Sequence, residues 1–246
     1  MIGMVKMPRF FVDEPVKNFF EIVGEDANHI AKSLRMRCGE LLTLCHDGVD
    51  YICKIVDFEQ NLVRVELVST KKCEAEPRLK VTLFQGLPKG DKMDLIVQKA
   101  VEVGVCAIVP VLTNRCVSRP DEKSLQKKVQ RWQKIALEAA KQSGRGCVPK
   151  VFSAVSFDEA IKFAGSSEKL ILFYENGGVP LPKIIDKNVS SVAIFVGPEG
   201  GFEVSEVAAV RAAGGEVCSL GQRILRTETA AVVSVAVAVY EVERQE

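Results

Sequence analysis

Short apolar runs alternate with helix-length amphipathic segments from residue 79 onwards, and this alternation limits the fold more than any other feature. The runs "KLILFY" (169–174) and "SVAIFV" (191–196) are apolar at every position after the first. Strands that are covered on both faces have such continuous runs, and strands that alternate with helices form a mostly parallel sheet. We therefore predict an α/β domain with these elements: strand 79–85, helix 91–103, strand 105–112, helix 122–142, strand 169–174, strand 191–196, helix 203–213, strand 216–220 and helix 227–243.

The first third of the chain has a different pattern, of β segments separated by turn signals. The segments rich in β-branched and aromatic residues are "RFFV" (9–12), "ELLTLCH" (40–46), "VDYICKIVDF" (49–58) and "LVRVELV" (62–68). Asp47-Gly48 is typical of a two-residue hairpin turn. One helix interrupts the strands, with Asp26 as its predicted N-cap and Gly39 beyond its end. This pattern predicts a small N-terminal β-barrel.

The composition changes at "STKKCEAEPR" (69–78), which is charged, contains proline and lacks apolar periodicity. We interpret this stretch as a linker. The sequence therefore predicts a first domain at 1–73 and a second at 78–246.

Composition favours a soluble cytoplasmic protein without a metal site. The 246 residues are 47% hydrophobic, and the longest apolar run, Ala230–Val239, is far shorter than the ~20 residues of a membrane-spanning helix. No signal peptide is visible in the first residues. The eight cysteines form no CxxC pair and are accompanied by two histidines, so we expect free thiols in a reducing compartment and no zinc.

Although the net charge is only +1, the charges are unevenly distributed, and the chain contains a basic segment. Residues 115–150 hold ten basic and three acidic side chains, a net charge of +7, which leaves −6 for the rest of the chain. Such a stripe is suited to a polyanion such as RNA, although a solvated lysine-rich helix face has the same composition.

Three predicted strands end in glycine-bearing loops. "VAIFV" runs into Gly197-Pro198-Glu199-Gly200-Gly201, "EVCSL" runs into Gly221, and "LILFYE" is followed by Gly177-Gly178. In open α/β sheets ligands bind at the carboxyl ends of strands, and glycine permits close approach of the backbone. The sequence has no GxGxxG after its first α/β strand and no GxxxxGK[ST], which argues against dinucleotide and ATP chemistry. We predict a cradle for a flat, largely uncharged heterocycle.

The segments "GPEGGF" and "LGQRILRTETA" resemble the knotted SPOUT methyltransferases, specifically the enzymes that methylate N3 of a uridine in 16S ribosomal RNA. Three other blocks are similar to the same family in the same order: "HIAKSLRMRCGE", "LPKGDKMDLIVQKAVEVGVCAIVPVLTNRCV" and "RWQKIALEAAKQSGRGCVPKV". The resemblance covers nearly the whole chain from Met7, where "MPRFF" is similar to the start of the family. Translation is therefore expected to begin at Met1 or Met7. Lys141 departs from the family, which has an acidic residue there.

The resemblance implies a PUA-like β-barrel followed by a methyltransferase domain whose C-terminal segment forms a trefoil knot. It also implies a homodimer that packs through the knot helices, and "TAAVVSVAVAVY" agrees, because a helix with almost no polar face must be buried. The implied partner is 16S rRNA, within the small ribosomal subunit. The implied cofactor is S-adenosylmethionine, which the resemblance places at the three strand ends, at Leu172, Phe173, Tyr174, Glu175, Val196, Gly197, Pro198, Glu199, Gly200, Gly201, Leu220, Gly221, Ile224, Leu225, Arg226 and Thr227.

Methyl transfer to uridine N3 requires alignment and stabilisation of the charge that develops on the base. Arg226 follows the last loop and is our candidate to stabilise that charge, since arginine stays protonated. The resemblance places Arg9 near the RNA face, as a candidate for the same role from the partner subunit. Glu199 and Glu228 are candidate proton acceptors or helix caps, and solvent hydroxide is the alternative. The predicted RNA-binding residues are Arg9, Arg35, Arg37, Arg115 and Arg145.

Two other readings remain open. One is a related SPOUT activity, ribose 2′-O methylation, against which the N-terminal barrel and "RILRTETA" argue. The other is a non-catalytic RNA-binding ribosome factor that retains a vestigial cofactor pocket. Saturable binding of S-adenosylmethionine distinguishes an enzyme from the second alternative.

Overall fold

A computed structural model describes residues 7–244 of the chain, so the alternative start at Met1 lies outside the described residues. The chain divides into two compact units. The first contains the residues up to Glu76 together with Gly144–Val148, and the second contains Pro77–Ser143 and the residues from Pro149 onwards. The short segment 144–148 thus belongs to the first unit, which a division at 73 and 78 does not anticipate.

The described residues of the first unit contain a five-stranded sheet in the order β1-β3-β4-β5-β2. β1 is parallel to β3, and the other neighbours are antiparallel. The strands are β1 (Arg9–Phe11), β2 (Phe19–Val23), β3 (Leu41–His46), β4 (Val49–Glu59) and β5 (Leu62–Lys72). The Asp47-Gly48 turn has positive φ at both residues, 45° and 76°, which confirms the predicted tight hairpin. An apolar cluster that includes Phe10, Leu42 and Val65 fills the inner face of the sheet.

The predicted helix of the first unit is shorter than expected and begins elsewhere. β2, which the sequence analysis did not predict, leads directly into α1 (Gly24–Asn28), followed by one π-helical turn (His29–Ser33). Asp26 therefore lies inside the first helical turn, and Val23 occupies the N-cap position. The prediction of Asp26 as N-cap was wrong, because Gly24, with φ +71°, makes the reversal from strand to helix two residues earlier.

The stretch 69–78 is also more ordered than the predicted linker. β5 continues through Lys72, and Cys73 is buried. The Glu76 carboxylate accepts hydrogen bonds from the backbone amides of Gly146 and Cys147, at 2.8 and 3.0 Å. The first charged residues of this stretch thus extend β5, and Glu76 holds the segment at Gly146 and Cys147 by hydrogen bonds.

The described residues of the second unit contain a parallel seven-stranded sheet in the order β12-β10-β11-β6-β7-β8, with β9 also paired to β7. Its strands are β6 (Lys80–Gly86), β7 (Ala107–Leu112), β8 (Lys150–Val151), β9 (Val155–Ser156), β10 (Lys169–Phe173), β11 (Ser191–Val196) and β12 (Glu216–Cys218). Its α-helices are α2 (Lys92–Glu102), α3 (Glu122–Ser143), α4 (Phe157–Ala164), α5 (Val204–Ala212) and α6 (Thr227–Glu243), and a 3₁₀ turn spans Leu181–Lys183. All nine predicted elements are present, and the predicted α/β class is confirmed.

The sequence analysis did not predict α4, although its N-terminus has a strong local signal. The Ser156 side chain accepts a hydrogen bond from the Glu159 amide, and the Glu159 carboxylate accepts one from the Ser156 amide, which together form a capping box. The core beneath the sheet is aromatic, with Phe84 and Phe195 stacked at 4.6 Å between ring centroids. Within residues 7–244, no helix is long and apolar enough to cross a bilayer.

Candidate active site

A cavity of about 560 Å³ opens at the carboxyl ends of β10, β11 and β12. It brings together two of the three predicted glycine loops, the end of β10, and every predicted cofactor residue except Leu172, which is buried in β10. Gly177 and Gly178 of the third loop do not line it, and Gly178 packs against the backbone of β12. Four further residues line it that the sequence analysis did not single out: Lys92, Ser219, Arg223 and Ala230. The predicted residues that line it are Phe173, Tyr174, Glu175, Val196, Gly197, Pro198, Glu199, Gly200, Gly201, Leu220, Gly221, Ile224, Leu225, Arg226 and Thr227.

The glycines after β11 are required by packing within the protein. A Cβ at Gly197 would lie 3.0 Å from backbone atoms of Gly201, and one at Gly200 would lie 3.1 Å from Cβ of Arg115. A Cβ at Gly201 would lie 2.5 Å from Glu175 Oε1, and this glycine has φ +67°. These glycines therefore let the loop fold closely on itself and on its neighbours, in addition to the close approach to a ligand that the sequence predicts.

A buried glutamine joins two of the three loops. Gln85, in β6, donates from Nε2 to the Gly197 carbonyl at 3.4 Å and to Thr227 Oγ1 at 3.0 Å. Thr227 in turn donates to the Gly197 carbonyl at 2.6 Å. Because Gly197 directly follows β11 and Thr227 begins α6, this network fixes the spacing of the two loops. A glutamine within the apolar strand "KVTLFQG" was the sequence signal for it.

Charged side chains of both signs gather at the cavity. The Lys92 ammonium lies 2.7 Å from Glu199 Oε1 and 3.8 Å from Glu228 Oε2. Glu199 also accepts from the Lys89 amide, just before α2, at 3.2 and 3.3 Å. Burial alone would raise the pKa of Glu199, but the Lys92 hydrogen bond and the Lys89 amide outweigh it, so the pKa lies below its usual value. Glu199 is therefore a poor candidate for a proton acceptor.

Arg226 occupies the N-cap position of α6, with extended backbone at φ −65° and ψ 151°. Its side chain is exposed and lines the cavity. Among the residues that the structure describes, no hydrogen bond or ion pair engages its guanidinium. The planar fork is thus available to a ligand.

Arg115 contacts the glycine loop directly. Its guanidinium donates to the Gly200 carbonyl at 2.9 Å. The neighbouring Asn114 amide donates to the buried Glu206 carboxylate at 2.8 Å, and Glu206 also caps the first turn of α5. The segment after β7 therefore supports the loop after β11.

Two of the predicted RNA-binding arginines are engaged inside the first unit. Arg9 donates to both oxygens of the Asp50 carboxylate, at 2.6 and 2.9 Å, and its side chain is 15% exposed. Arg145 is 2% exposed and makes a two-point contact with Glu76, each bond 2.8 Å long. These positions differ from the expected surface position, since each guanidinium already has a carboxylate partner. Arg35 and Arg37, by contrast, are exposed.

The site has no arrangement that suggests a metal. Within the described part of the chain, no three His, Cys, Asp or Glu side chains are grouped closely enough to hold an ion. All eight cysteines are free thiols, and burial raises the pKa of Cys45 to about 12, despite the opposing effect of Arg9.

Comparison with known proteins agrees with this geometry. Residues 75–239 match a family model described as an RNA methyltransferase domain, and residues 22–68 match an RNA methyltransferase PUA domain. The chain is 34% identical to the ribosomal RNA small subunit methyltransferase E of Bacillus subtilis, over 96% of this chain and 98% of that protein. It is 32% identical to the protein of the same name from Mesomycoplasma hyopneumoniae, over 92% and 96% of the two chains.

A solved structure supports the same assignment. The ribosomal RNA small subunit methyltransferase E of Neisseria gonorrhoeae, bound to S-adenosylmethionine, is 33% identical and has a TM-score of 0.84, over 94% of this chain and 96% of that chain. The PUA-like character of the first unit and the resemblance drawn from the sequence are thereby confirmed. With its paired PUA and methyltransferase regions and its cavity at three strand ends, the chain belongs to the RNA methyltransferase family that includes the ribosomal RNA small subunit methyltransferases E.

Proposed function

We propose that this protein uses S-adenosylmethionine to methylate N3 of a specific uridine in the 16S rRNA of the small ribosomal subunit. The observation that carries the proposal is the cavity at the ends of β10, β11 and β12, which combines apolar walls, main-chain groups and two unlike cations, Lys92 and Arg226. Relatives that align along almost the whole chain are named as small-subunit rRNA methyltransferases, and one was solved with S-adenosylmethionine.

The cavity fits such a cofactor in size and chemistry. Its volume of about 560 Å³ lies within the usual range of small-molecule sites, roughly 300–1,000 Å³. Phe173, Val196 and Leu220 supply apolar surface, and the Gly197–Gly201 loop supplies backbone amides and carbonyls. When bound, S-adenosylmethionine supplies a methyl group that is attached to a sulfonium. Once the methyl group is transferred, the sulfur departs as a neutral thioether. The chain then has to align the target base and stabilise its charge.

Arg226 is proposed to perform the second task. Loss of the N3 proton spreads negative charge over N3, O2 and O4 of uracil, and a guanidinium can donate two parallel hydrogen bonds to such an anion. A donor that meets the charge only as it develops stabilises the transition state more than the ground state. The exposed position of Arg226 at the start of α6 leaves its fork free for this purpose.

RNA binding is proposed to involve Arg35, Arg37 and Arg115 by direct contact, since these side chains are exposed. Arg9 and Arg145 are proposed to shape the first unit through Asp50 and Glu76, because their guanidinium groups are already paired.

The proposal includes a cytoplasmic homodimer and a trefoil knot, both of which follow from the family. Half-buried apolar residues recur along one side of α6, at Ala230, Val233, Ala236 and Val237, and end at the exposed Tyr240. A second copy of the chain would cover this stripe. Sedimentation of the purified protein tests it.

Transfer of a tritiated methyl group tests the proposed activity. Purified protein, labelled S-adenosylmethionine and either 16S or 23S rRNA, naked or in ribosomal subunits, are incubated together. We expect label in 16S rRNA alone and a saturable heat of cofactor binding by calorimetry. A non-catalytic RNA-binding factor would incorporate no label and would show no saturable heat.

A further inference from the structure

A second cation, Lys92, lines the proposed active site beside Arg226. Lys92 is the first residue of α2, and Arg226 directly precedes α6. The two cations therefore reach the cavity from the starts of two different helices. Arg226 is close enough to act electrostatically on the Lys92 ammonium. With Arg223, which also lines it, the cavity therefore presents three cationic side chains, of which Lys92 alone is a tetrahedral donor.

Two carboxylates hold the Lys92 ammonium in place. Glu199 lies 2.7 Å from Nζ and is itself fixed by the Lys89 amide. Glu228, in the first turn of α6, lies 3.8 Å from Nζ, and its Oε2 is buried without a hydrogen-bond partner among the described residues. An ammonium has three protons to donate. One is donated to Glu199, and Glu228 lies beyond hydrogen-bond distance, so protons remain for a ligand in the cavity.

The surroundings keep Lys92 protonated. The Glu199 hydrogen bond is the largest influence and raises the pKa of Lys92, while burial and Arg226 oppose it. Lys92 is therefore a permanent donor at neutral pH and cannot accept the N3 proton. Three cations (Lys92, Arg223 and Arg226) and two carboxylates (Glu175 and Glu199) line the cavity, and Glu228 adjoins Lys92. These six charges sum to zero, so a neutral base can enter without burying an unpaired charge.

We propose that Lys92 is a second catalytic donor, which together with Arg226 binds the two carbonyl oxygens that flank N3, and that this pair selects a pyrimidine-2,4-dione, the uracil ring, over cytosine. This inference rests on the proposed function and extends it to substrate selection. Glu199 and Glu228 are positioning residues that aim the ammonium. The N3 proton passes to solvent hydroxide, the N3 electron pair forms the new N–C bond, and the electrons of the broken C–S bond remain on sulfur.

The selection follows from hydrogen-bond chemistry. Uracil presents an acceptor oxygen at C4, whereas cytosine presents an amino donor there. A cation that faces the C4 position of cytosine would meet a donor and would remain without its acceptor. Sites built to bond a substrate oxygen reject the analogue that lacks it strongly, because their own polar group is left unpaired.

Single-turnover methylation of 16S rRNA at saturating cofactor tests the catalytic part. Lys92→Met keeps the aliphatic stem and removes the charge, and Lys99→Met, on the same helix, is the matched control. We expect Lys92→Met to react about 10²-fold more slowly, and Lys99→Met to react at the parental rate. Calorimetric affinity for S-adenosylmethionine should be unchanged in both. Lys92→Arg keeps a cation and should recover part of the rate.

The rate of methylation of RNA transcribed with 5-fluorouridine shows whether Lys92 stabilises charge on the base or acts only through structure. Fluorine makes N3–H more acidic, so the base needs less help to lose its proton. The rate difference between Lys92→Met and the parent should therefore shrink on this RNA. An undiminished difference would show that Lys92 acts only through structure and would overturn the proposal.

A binding measurement tests selection without turnover. With S-adenosylhomocysteine bound, fluorescence anisotropy compares RNA that carries uridine or cytidine at the methylated position. The parent should prefer uridine, and Lys92→Met should lose most of that preference. An unchanged preference, or a parental rate in Lys92→Met, contradicts the inference. If the parent transfers no methyl group to any rRNA, the proposed function fails instead.

Discussion

The glycines after β11 stabilise the cofactor loop by allowing it to fold tightly, as Gly201 shows most clearly. Its backbone lies in the left-handed region, and the space that a Cβ would need is taken by Glu175. Glu175 and Gly201 both line the cavity, so any shift of one against the other changes the site. At the residue scale, then, the shape of the cavity depends on contacts between protein atoms of its own lining.

Gly201→Ala should weaken binding of S-adenosylmethionine by about tenfold. The left-handed backbone costs an L-residue roughly 1–2 kcal/mol, and the new methyl group would have to displace Glu175. Calorimetric titration measures the dissociation constant. Gly214→Ala is the matched control, because Gly214 also has positive φ, +81°, but a Cβ there would meet no atom of the described residues within 4 Å, and Gly214 does not line the cavity. Equal cofactor affinity in the two variants would refute the explanation.

Arg226→Ala should lower the single-turnover rate by roughly 10²–10³ and leave cofactor affinity unchanged, because the guanidinium acts on charge that exists only in the transition state. Arg226→Lys should recover only part of the rate, since it keeps the charge but loses the planar fork. A parental rate in Arg226→Ala, or a loss that is due entirely to weaker cofactor binding, would remove Arg226 from the chemistry.

At the element scale, α3 combines a buried face with a basic exposed face. Trp132 is buried and donates to Asp94 Oδ1 at 3.0 Å, whereas Lys123, Lys127 and Lys134 are exposed along the other side. Arg131, on the exposed side, forms an ion pair with Asp94. The lysines are therefore the side chains of this helix that are free to contact a polyanion.

Lys127→Glu should weaken RNA binding and reduce the magnitude of its salt slope, while cofactor affinity stays constant. Each phosphate contact that is lost lowers the slope of log K against log salt by about 0.9. Filter binding of 16S rRNA across a salt series measures both quantities. Lys162→Glu, an equally exposed lysine on α4, is the control for net charge. If the two variants bind RNA alike, the α3 face is only solvated surface.

The sequence predicted the bounds of strands and helices well where the apolar signal is local and repeated along the chain. The strand at 191–196 and the helix at 227–243 were predicted with the observed bounds, because each is a long apolar run. β2 and α4 were missed, since β2 is mostly exposed and α4 is only eight residues long. Lys92 was missed for another reason: its role depends on Glu199 and Glu228, more than one hundred residues away in the sequence.

At the scale of the whole molecule, the two units are interleaved in sequence. The segment 144–148 lies between α3 and β8 but belongs to the first unit, where Glu76 binds Arg145 and two backbone amides. No composition or periodicity reveals such a return of the chain. Burial alone would raise the pKa of Glu76, but Arg145 and the amides outweigh it and lower the pKa below its ordinary value.

Glu76→Gln should lower the free energy of unfolding by about 3 kcal/mol at neutral pH, because it removes the carboxylate charge that lies against the buried Arg145 guanidinium. Glu74→Gln, which alters an exposed carboxylate two residues earlier, should have almost no effect. Urea unfolding measures both. Since the folded pKa of Glu76 is depressed, its contribution is complete above about pH 4.5 and is lost as the pH falls through the lower folded value. A difference that persists unchanged in acid would contradict this origin.

The position of the methyl group on the RNA tests the account most directly. 16S rRNA methylated by the purified protein is digested to nucleosides, and the labelled product is identified by mass spectrometry against authentic standards. We predict 3-methyluridine as the single labelled nucleoside, because the proposed mechanism has Arg226 and Lys92, which line one cavity, stabilise negative charge on a uracil ring. A 2′-O-methylated nucleoside, or a methyl group on another base, would contradict the account.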